Sequence, residues 1–462
     1  MYRELDFEVV VIGAGPGGYT CAIKLAQLGL KVAIIEKNKI GGTCLNVGCI
    51  PSKTLLHSSQ EYYDLKNNKI AQLGILVKDV GLNMQRMMES KDKIVHQLGI
   101  GIQSLLQKHK IQCFDDHAFF LDQHTIHLQK QNLQIRAKYF VIATGSEAKT
   151  SPNIIVDEQS ILTSTGALEL REVPESLLVM GGGYIGLEIG SIWSRLGSNV
   201  CIVEYSNKIA GQIDSEVSVA LQDMMRGQGI TFYLNTEVLE VHDNNNNNNL
   251  LRVHLSNRDT KESIEIDTSK VLLAIGRTPC TRGLMLEKAL VHINEQGFVK
   301  VDDAFRTSAE HIYAIGDVIG GAMLAHKASQ EAVAVAEIIA GKRGNVNYKT
   351  MPSVLYTKPE VASVGPTQAQ LDAANIPYKM CKSYFAHNGM AHAALEKEGF
   401  VKILYSATTH QIISAYIVGS QASNLLGQIT SVMEFGGRIE DLARSFYAHP
   451  GFSETIKDAA NQ

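Results

Sequence analysis

An α/β fold is predicted, with two doubly wound nucleotide-binding units and a separate carboxy-terminal α+β domain. Three observations predict it. The chain has 462 residues, which is too long for one hydrophobic core. A strand–glycine loop–helix–strand pattern occurs twice. From Met351 the pattern changes to short alternating strands and helices.

The first copy runs Val9-Val10-Val11-Ile12, then Gly13-Ala14-Gly15-Pro16-Gly17-Gly18, then an apolar helical stretch to Leu28-Gly29, then Val32-Ala33-Ile34-Ile35 to Glu36. The second runs Leu177-Leu178-Val179-Met180, Gly181-Gly182-Gly183-Tyr184-Ile185-Gly186, on to Leu196-Gly197 and Val200-Cys201-Ile202-Val203, ending in Glu204. Gly13 and Gly181, Gly18 and Gly186, Leu28 and Leu196, Val32 and Val200, and Glu36 and Glu204 all differ by 168. A lone G-x-G-x-x-G is a weak signal. With a strand before it, a helix after it and an acid about 20 residues on, it is a Rossmann-type dinucleotide fingerprint. The first glycine makes the turn, the second lets the backbone approach a pyrophosphate, and the third lets helix and strand pack. The helix N-terminus faces the phosphates and the acid takes ribose hydroxyls. Glu204 accepts from a 2′-hydroxyl and repels a 2′-phosphate, and Tyr205-Ser206-Asn207 contain no arginine. NAD is therefore expected at the second site rather than NADP.

Between the two copies lies Gly41-Gly42-Thr43-Cys44-Leu45-Asn46-Val47-Gly48-Cys49-Ile50-Pro51-Ser52-Lys53. A close cysteine pair can cycle between disulfide and dithiol, and beside a redox cofactor it implies electron traffic. Pro51 suits the first turn of a helix, which puts Cys49 near that helix's positive end, where a thiolate is favoured. The other five cysteines, Cys21, Cys113, Cys201, Cys280 and Cys381, are scattered, unlike a secreted disulfide framework. A reducing compartment is expected, with Cys21 and Cys201 serving only to pack.

Tyr139 to Gly145 and Val271 to Gly276 are apolar strands ending at a glycine where a ligand can approach, though alone each reads as an ordinary strand end, and Ile312 to Asp317 is a third such strand, ending in an acid able to bind a sugar hydroxyl. The run Asn244 to Asn249 cannot form a core and is expected to be a surface loop. Near the C-terminus, Ala448-His449-Pro450-Gly451-Phe452-Ser453-Glu454 reads as a turn. It can bring the carboxylate to one ring nitrogen and leave the other free as a base. Taken alone, it is also what an ordinary surface turn looks like.

Charge excludes some partners. Net charge is −4 and no long basic stretch occurs, so neither nucleic acid nor an anionic membrane surface is expected as a partner. No apolar run reaches the roughly 20 residues of a membrane helix. The first strand pattern begins by Phe7, so no targeting segment is expected, and the cytosol is the expected location.

The Cys44–Lys53 segment, both fingerprints, Ala314-Ile315-Gly316-Asp317 and the His449 turn occur in the order seen in the flavin disulfide reductases, the class I pyridine nucleotide-disulfide oxidoreductases, which the whole chain resembles. Ile50-Pro51-Ser52-Lys53, Ser164-Thr165-Gly166-Ala167-Leu168 and Met323-Leu324-Ala325-His326-Lys327 are similar to its dihydrolipoamide-oxidising branch.

The resemblance implies an FAD site at Gly13, Gly15, Gly18, Glu36, Gly42, Thr43, Lys53, Thr144, Gly145, Asp317 and Ala325, with Ala118 a looser match on the adenine side. It implies an NAD site at Gly181, Gly183, Ile185, Gly186, Glu204, Val238 and Gly276. Lys53 and Glu188 would pair beside the flavin, Cys44 would exchange with substrate and Cys49 would face the flavin. His449 would be the acid–base held by Glu454, supplied across a homodimer, with a cis His449–Pro450 bond.

The implied domains are an FAD-binding domain over 1–148, an NAD-binding domain over 149–280, a central domain over 281–348 and a dimerisation domain over 349–462. The implied substrate carrier is a lipoylated E2 protein or a glycine-cleavage H-type protein, since no lipoyl-type module precedes Val9. Two alternatives stay open: a glutathione-type flavin disulfide reductase, and a redox-dead binding paralogue. Gly451-Phe452 departs from the family's usual Thr-Leu inside the catalytic turn.

Overall fold

The computed structural model describes residues 3–243 and 250–462, so the asparagine run Asn244 to Asn249 lies outside the described residues. The chain divides into two compact units. The first comprises Met1–Thr54, Gln85–Lys149 and Gly276–Val346, and the second Leu55–Met84, Thr150–Ile275 and Asn347–Gln462.

The first unit is built on a seven-stranded sheet. Strand Arg3–Ile12 pairs in parallel with Val32–Glu36 on one side and Leu133–Ile142 on the other. Gln112–Asp115 extends it in parallel beyond Val32–Glu36, and Ile312–Ala314 pairs in parallel with the upper part of Leu133–Ile142. Thr125–Leu128 and Ala118–Asp122 add an antiparallel meander.

The apolar run Val9–Ile12 is continuous because the sheet is covered on both faces. Val10, Ile12, Ala33, Ile35, Phe140 and Ile142 belong to one core. Val9, Val11, Val32, Ile34 and Val141 belong to the other, packed with Cys21, Ala22 and Leu25 of helix Pro16–Gln27. Val9, Val10 and Val11 are completely buried, each stabilising the fold by roughly 1.5–3 kcal/mol relative to exposure.

Among the described residues the second unit contains three sheets. A five-stranded parallel sheet runs Thr231–Tyr233, Asn199–Val203, Ser176–Met180, Lys270–Leu273, Ile161–Leu162. Helix Tyr184–Leu196 packs on it closely because Gly190 brings backbone near Val179, Val200 and Ile202. Leu178, Met180 and Val271 on the sheet share a core with Leu251, Val253 and Leu255 of an antiparallel three-stranded sheet.

The carboxy-terminal residues form a five-stranded antiparallel sheet: Pro352–Leu355, Glu360–Val364, Ile412–Gly419, Phe400–Ser406, Tyr378–Tyr384. Val401, Ile403, Ala415 and Ile417 share a core with helices Ala422–Glu434 and Glu454–Ala460. Lys402, between two of these apolar positions, is buried and reaches Asp214 at 3.1 Å, Glu216 at 3.0 Å and Gln368 at 3.0 Å. Those partners satisfy a charge that burial would otherwise penalise. The expected α/β and α+β layers are both present.

Candidate active site

Cys44 and Cys49 form a disulfide, with Cα atoms 4.6 Å apart. Cys44 lies in the short helix Gly42–Val47 and Cys49 begins helix Cys49–Lys66, with Pro51 in its first turn. Gly48 joins the two helices, and a Cβ there would meet the Thr43 carbonyl at 2.9 Å. Asn46 ties the segment back by donating to the Gly42 carbonyl at 2.9 Å and the Ile40 carbonyl at 3.1 Å.

The segment is pinned to the first glycine loop. Gly41 N–H donates to the Ala14 carbonyl at 2.8 Å. Gly42 packs so closely on Gly15 that a Cβ would sit 2.6 Å from the Gly15 Cα. The segment that carries the cysteines is thus in contact with the fingerprint through Gly41 and Gly42.

The two fingerprints have the same internal wiring. Glu36 accepts from the Ala14 amide at 2.8 Å and the Asn38 amide at 2.9 Å. Glu204 accepts from the Gly182 amide at 2.6 Å and the Ser206 amide at 2.7 Å. These partners are related by the same offset as the glycines. Gly13 (φ +102°) and Gly181 (φ +105°) take left-handed turns that a side chain would drive into the Ala143 and Ala274 carbonyls. Gly18 and Gly186 lie against the Gly13 and Gly181 carbonyls.

The helices that follow, Pro16–Gln27 and Tyr184–Leu196, have no side-chain cap at Gly15 or Gly183. Their first-turn N–H groups are left for an anion. Each cradle therefore fits a dinucleotide pyrophosphate, with a carboxylate fixed at the end of the second strand for the ribose.

At the same carboxyl end of the parallel sheet, beyond Leu133–Ile142 and Ile312–Ala314, Asp317 accepts from Ser146 Oγ at 2.5 Å, and Arg277 donates to Ser146 Oγ at 2.7 Å and the Ser146 carbonyl at 2.6 Å. Burial pushes the Arg277 guanidinium below its ordinary range, and the nearby Asp317 opposes that shift. Thr144 Oγ1 donates to the Cys280 carbonyl at 2.7 Å. Ala325 opens helix Ala325–Ile339, which also lacks a side-chain cap. Ala118 is buried at the start of its strand.

In the second unit, His449 Nδ1 and Glu454 Oε1 are 2.9 Å apart, and the imidazole is exposed. Nε2 is thereby left for proton transfer. The hydrogen bond from His449, seconded by the Gly451 amide at 2.9 Å, holds the Glu454 carboxyl below the usual carboxylate range. The His449–Pro450 peptide is cis, as expected. Phe452 turns inward and meets Phe385 edge-on at 6.1 Å between centroids. Gly451 and Phe452 are thus parts of the turn's scaffold.

Unit membership sorts the remaining candidates. Gly13, Gly15, Gly18, Glu36, Gly42, Thr43, Cys44, Cys49, Lys53, Ala118, Thr144, Gly145, Asp317 and Ala325 share the first unit. Gly181, Gly183, Ile185, Gly186, Glu188, Glu204, Val238, His449 and Glu454 share the second. Gly276 opens the chain's return into the first unit, at φ +120°. Glu188 is buried and accepts from the Tyr356 amide at 3.0 Å.

Positioning groups that the sequence did not announce are Asn388, Ser146 and Arg277. Asn388 Nδ2 donates to the Gly451 carbonyl at 2.9 Å and to Thr455 Oγ1 at 3.1 Å, while its Oδ1 accepts from the Ala391 amide. Arg277 followed a recognised glycine, a usable signal; Asn388 carried none.

Comparison with known proteins agrees with this geometry. Residues 7–332 match the pyridine nucleotide-disulphide oxidoreductase family and residues 351–460 its dimerisation domain. The chain is 43% identical over 457 residues to the mitochondrial dihydrolipoyl dehydrogenase of Pisum sativum, covering 98% of this chain and 90% of that one. It is 43% identical over 460 residues to the dihydrolipoyl dehydrogenase of Trypanosoma brucei brucei, covering 98% and 95%. Among solved structures, the HOCl-induced flavoprotein disulfide reductase RclA from Escherichia coli superposes with a TM-score of 0.88 at 27% identity, covering 98% of this chain and 99% of that one. A redox disulfide pinned to one dinucleotide cradle, a second cradle of the same design and a near full-length match place this chain in the pyridine nucleotide-disulphide oxidoreductase family.

Proposed function

We propose that this chain oxidises protein-bound dihydrolipoamide to lipoamide with reduction of NAD to NADH. The observation that carries the reading is the Cys44–Cys49 disulfide in a segment whose Gly41 and Gly42 are pinned to the first glycine loop. FAD and NAD are its cofactors: when bound, FAD relays an electron pair from the dithiol and NAD accepts it as hydride.

The chain's own residues do the thiol chemistry. His449 Nε2 takes a proton from one substrate thiol, because its Nδ1 is committed to Glu454. The resulting thiolate attacks Cys44 Sγ; the Cys44–Cys49 bond breaks and Cys49 leaves as a thiolate. The second substrate thiol displaces Cys44, its proton passing to the departing Cys44 Sγ, so lipoamide leaves as a disulfide and both cysteines hold the electron pair. Placing Cys49 at a helix N-terminus favours its thiolate. Glu204, held by two amides, favours the 2′-hydroxyl of NAD. Lys53 and Glu188 are assigned the role of tuning the flavin.

The working form is a homodimer joined through the carboxy-terminal domain, with the His449–Glu454 dyad serving the disulfide of the other subunit. Phe435 and Phe446, both almost fully exposed on that domain, support such a surface. A lipoylated E2 or H-type protein is assigned as substrate carrier. The five remaining cysteines are free thiols, which supports a reducing compartment such as the cytosol.

The test compares two couples in one preparation: dihydrolipoamide with NAD, and glutathione disulfide with NADPH. Turnover confined to the first supports the proposal. Faster glutathione reduction contradicts it.

A further inference from the structure

The segment after Glu204 contains no arginine, yet the fold delivers one. Arg258 follows strand Leu251–Asn257, and its guanidinium carbon lies 3.6 Å over the centroid of the Tyr205 ring. Its Nη1 donates to the Tyr205 carbonyl at 3.3 Å. Three backbone bonds fix the approach: Arg258 N–H to Asn235 at 2.6 Å, Asn235 N–H to Ser206 at 2.9 Å and Thr236 N–H to Glu204 at 3.0 Å. The turn whose Ser206 amide holds the Glu204 carboxylate is therefore the turn against which Arg258 is stacked.

We propose that Arg258 is a second specificity-determining residue of the NAD site, a cation set beside the adenosine 2′ position and opposed there by Glu204. The proposal rests on the NAD reading of the second cradle. Among the described residues, one of the five N–H donors of Arg258 is engaged and no carboxylate pairs with it. A guanidinium with open donors is the group that grips a phosphate. Lys208 offers no substitute, since its Nζ is turned to the Ile213 carbonyl and Ser215 Oγ. Discrimination against a 2′-phosphate then rests on the Glu204 charge, with a phosphate-binding group already in place behind it. Such an arginine, distant in sequence, is invisible to a reading of Glu204 to Asn207, the four residues that follow the strand.

The test is calorimetric binding of ADP-ribose and 2′-phospho-ADP-ribose to the full-length flavoprotein, reporting the ratio of the two dissociation constants. Glu204→Ser should shift the ratio toward the 2′-phosphate ligand. Adding Arg258→Gln, which keeps a donor for the Tyr205 carbonyl but removes the charge, should reverse that shift by about 10- to 100-fold, the worth of a charged hydrogen bond. Adding Arg258→Lys instead should retain most of it, and the retained preference should weaken as salt is raised. Equal ratios in Glu204→Ser with and without Arg258→Gln overturn the proposal. So does an equal loss of both ligands on removing Arg258, which marks a purely supporting role for Tyr205. A wild-type protein that binds neither ligand overturns the nucleotide reading itself.

Discussion

Asn388 donates its side-chain amide to the Gly451 carbonyl at 2.9 Å, across 63 residues of sequence. It thereby holds the turn that carries His449 from behind, while the Gly451 amide holds Glu454 from the front at 2.9 Å. Asn388 is buried, so each bond it makes is shielded from water. Asn388→Ala leaves the Gly451 carbonyl without this partner and removes the cap of helix Gly389–Ala393. The expected cost is about 1–3 kcal/mol of stability. A fall in kcat with little change in the KM for NAD is also expected. Thermal unfolding and steady-state kinetics check it; an unchanged kcat would separate Asn388 from the dyad.

The dyad itself has a pH signature. Glu454 has a folded-state pKa depressed by the His449 hydrogen bond and the Gly451 amide. Its contribution to the turn is therefore complete above the ordinary carboxylate pKa of about 4.3 and is lost as pH falls through the depressed value. Glu454→Gln should lower the unfolding temperature relative to wild type at about pH 7, and the difference should narrow below about pH 4. His449→Gln should lower kcat about 100-fold or more while keeping the flavin absorbance band.

Gly181 and Gly183 should behave differently, although both belong to one fingerprint. Gly181 is strained for any side chain, and a Cβ would strike the Ala274 carbonyl. Gly183 has ordinary φ, and a Cβ added there would meet nothing within 4 Å, so the protein alone does not require glycine at that position. Gly181→Ala should reduce stability and NAD binding together. Gly183→Ala should leave the unfolding temperature unchanged and weaken NAD binding about 10-fold or more, because the second glycine serves ligand approach. Isothermal titration with NADH and a melting curve separate the two; equal effects would remove the pyrophosphate from Gly183.

Ser146 bridges Arg277 and Asp317, which makes it the central group of that network. Ser146→Ala removes hydrogen bonds to two charged groups, each worth roughly 1.5–3 kcal/mol. The expected result is faster loss of flavin on dilution, read from released flavin fluorescence. Retention equal to wild type would exclude Asp317 from flavin binding.

Local patterns made much of this legible. The strands at Val9–Ile12 and Leu177–Met180, their glycine turns and both acids follow from short-range rules, because a parallel strand buried on two faces leaves a continuous apolar run. The cysteine segment was equally local, whereas the His449 turn took its role from the family resemblance and not from its own pattern. The architecture that brings distant residues together was not. Lys402 stands in an apolar strand, and nothing beside it in the chain marks Asp214, Glu216 and Gln368 as its partners. Asn388 and Arg258 reach their partners across 63 and 53 residues, and nothing beside them in the chain marks the destination. Such contacts depend on how sheets and turns assemble, and single-sequence periodicity does not encode that pairing.

In the proposed reaction, substrate electrons reach the chain through the Cys44–Cys49 bond. The most direct measurement is an anaerobic titration of the flavoprotein with one equivalent of dihydrolipoamide per subunit, without NAD, followed by alkylation and peptide mass analysis. Cys201, whose thiol burial pushes up to about 12, serves as an internal control that alkylates slowly. The expected result is formation of lipoamide and new alkylation confined to Cys44 and Cys49. Lipoamide formation with the Cys44–Cys49 disulfide still intact would contradict the account.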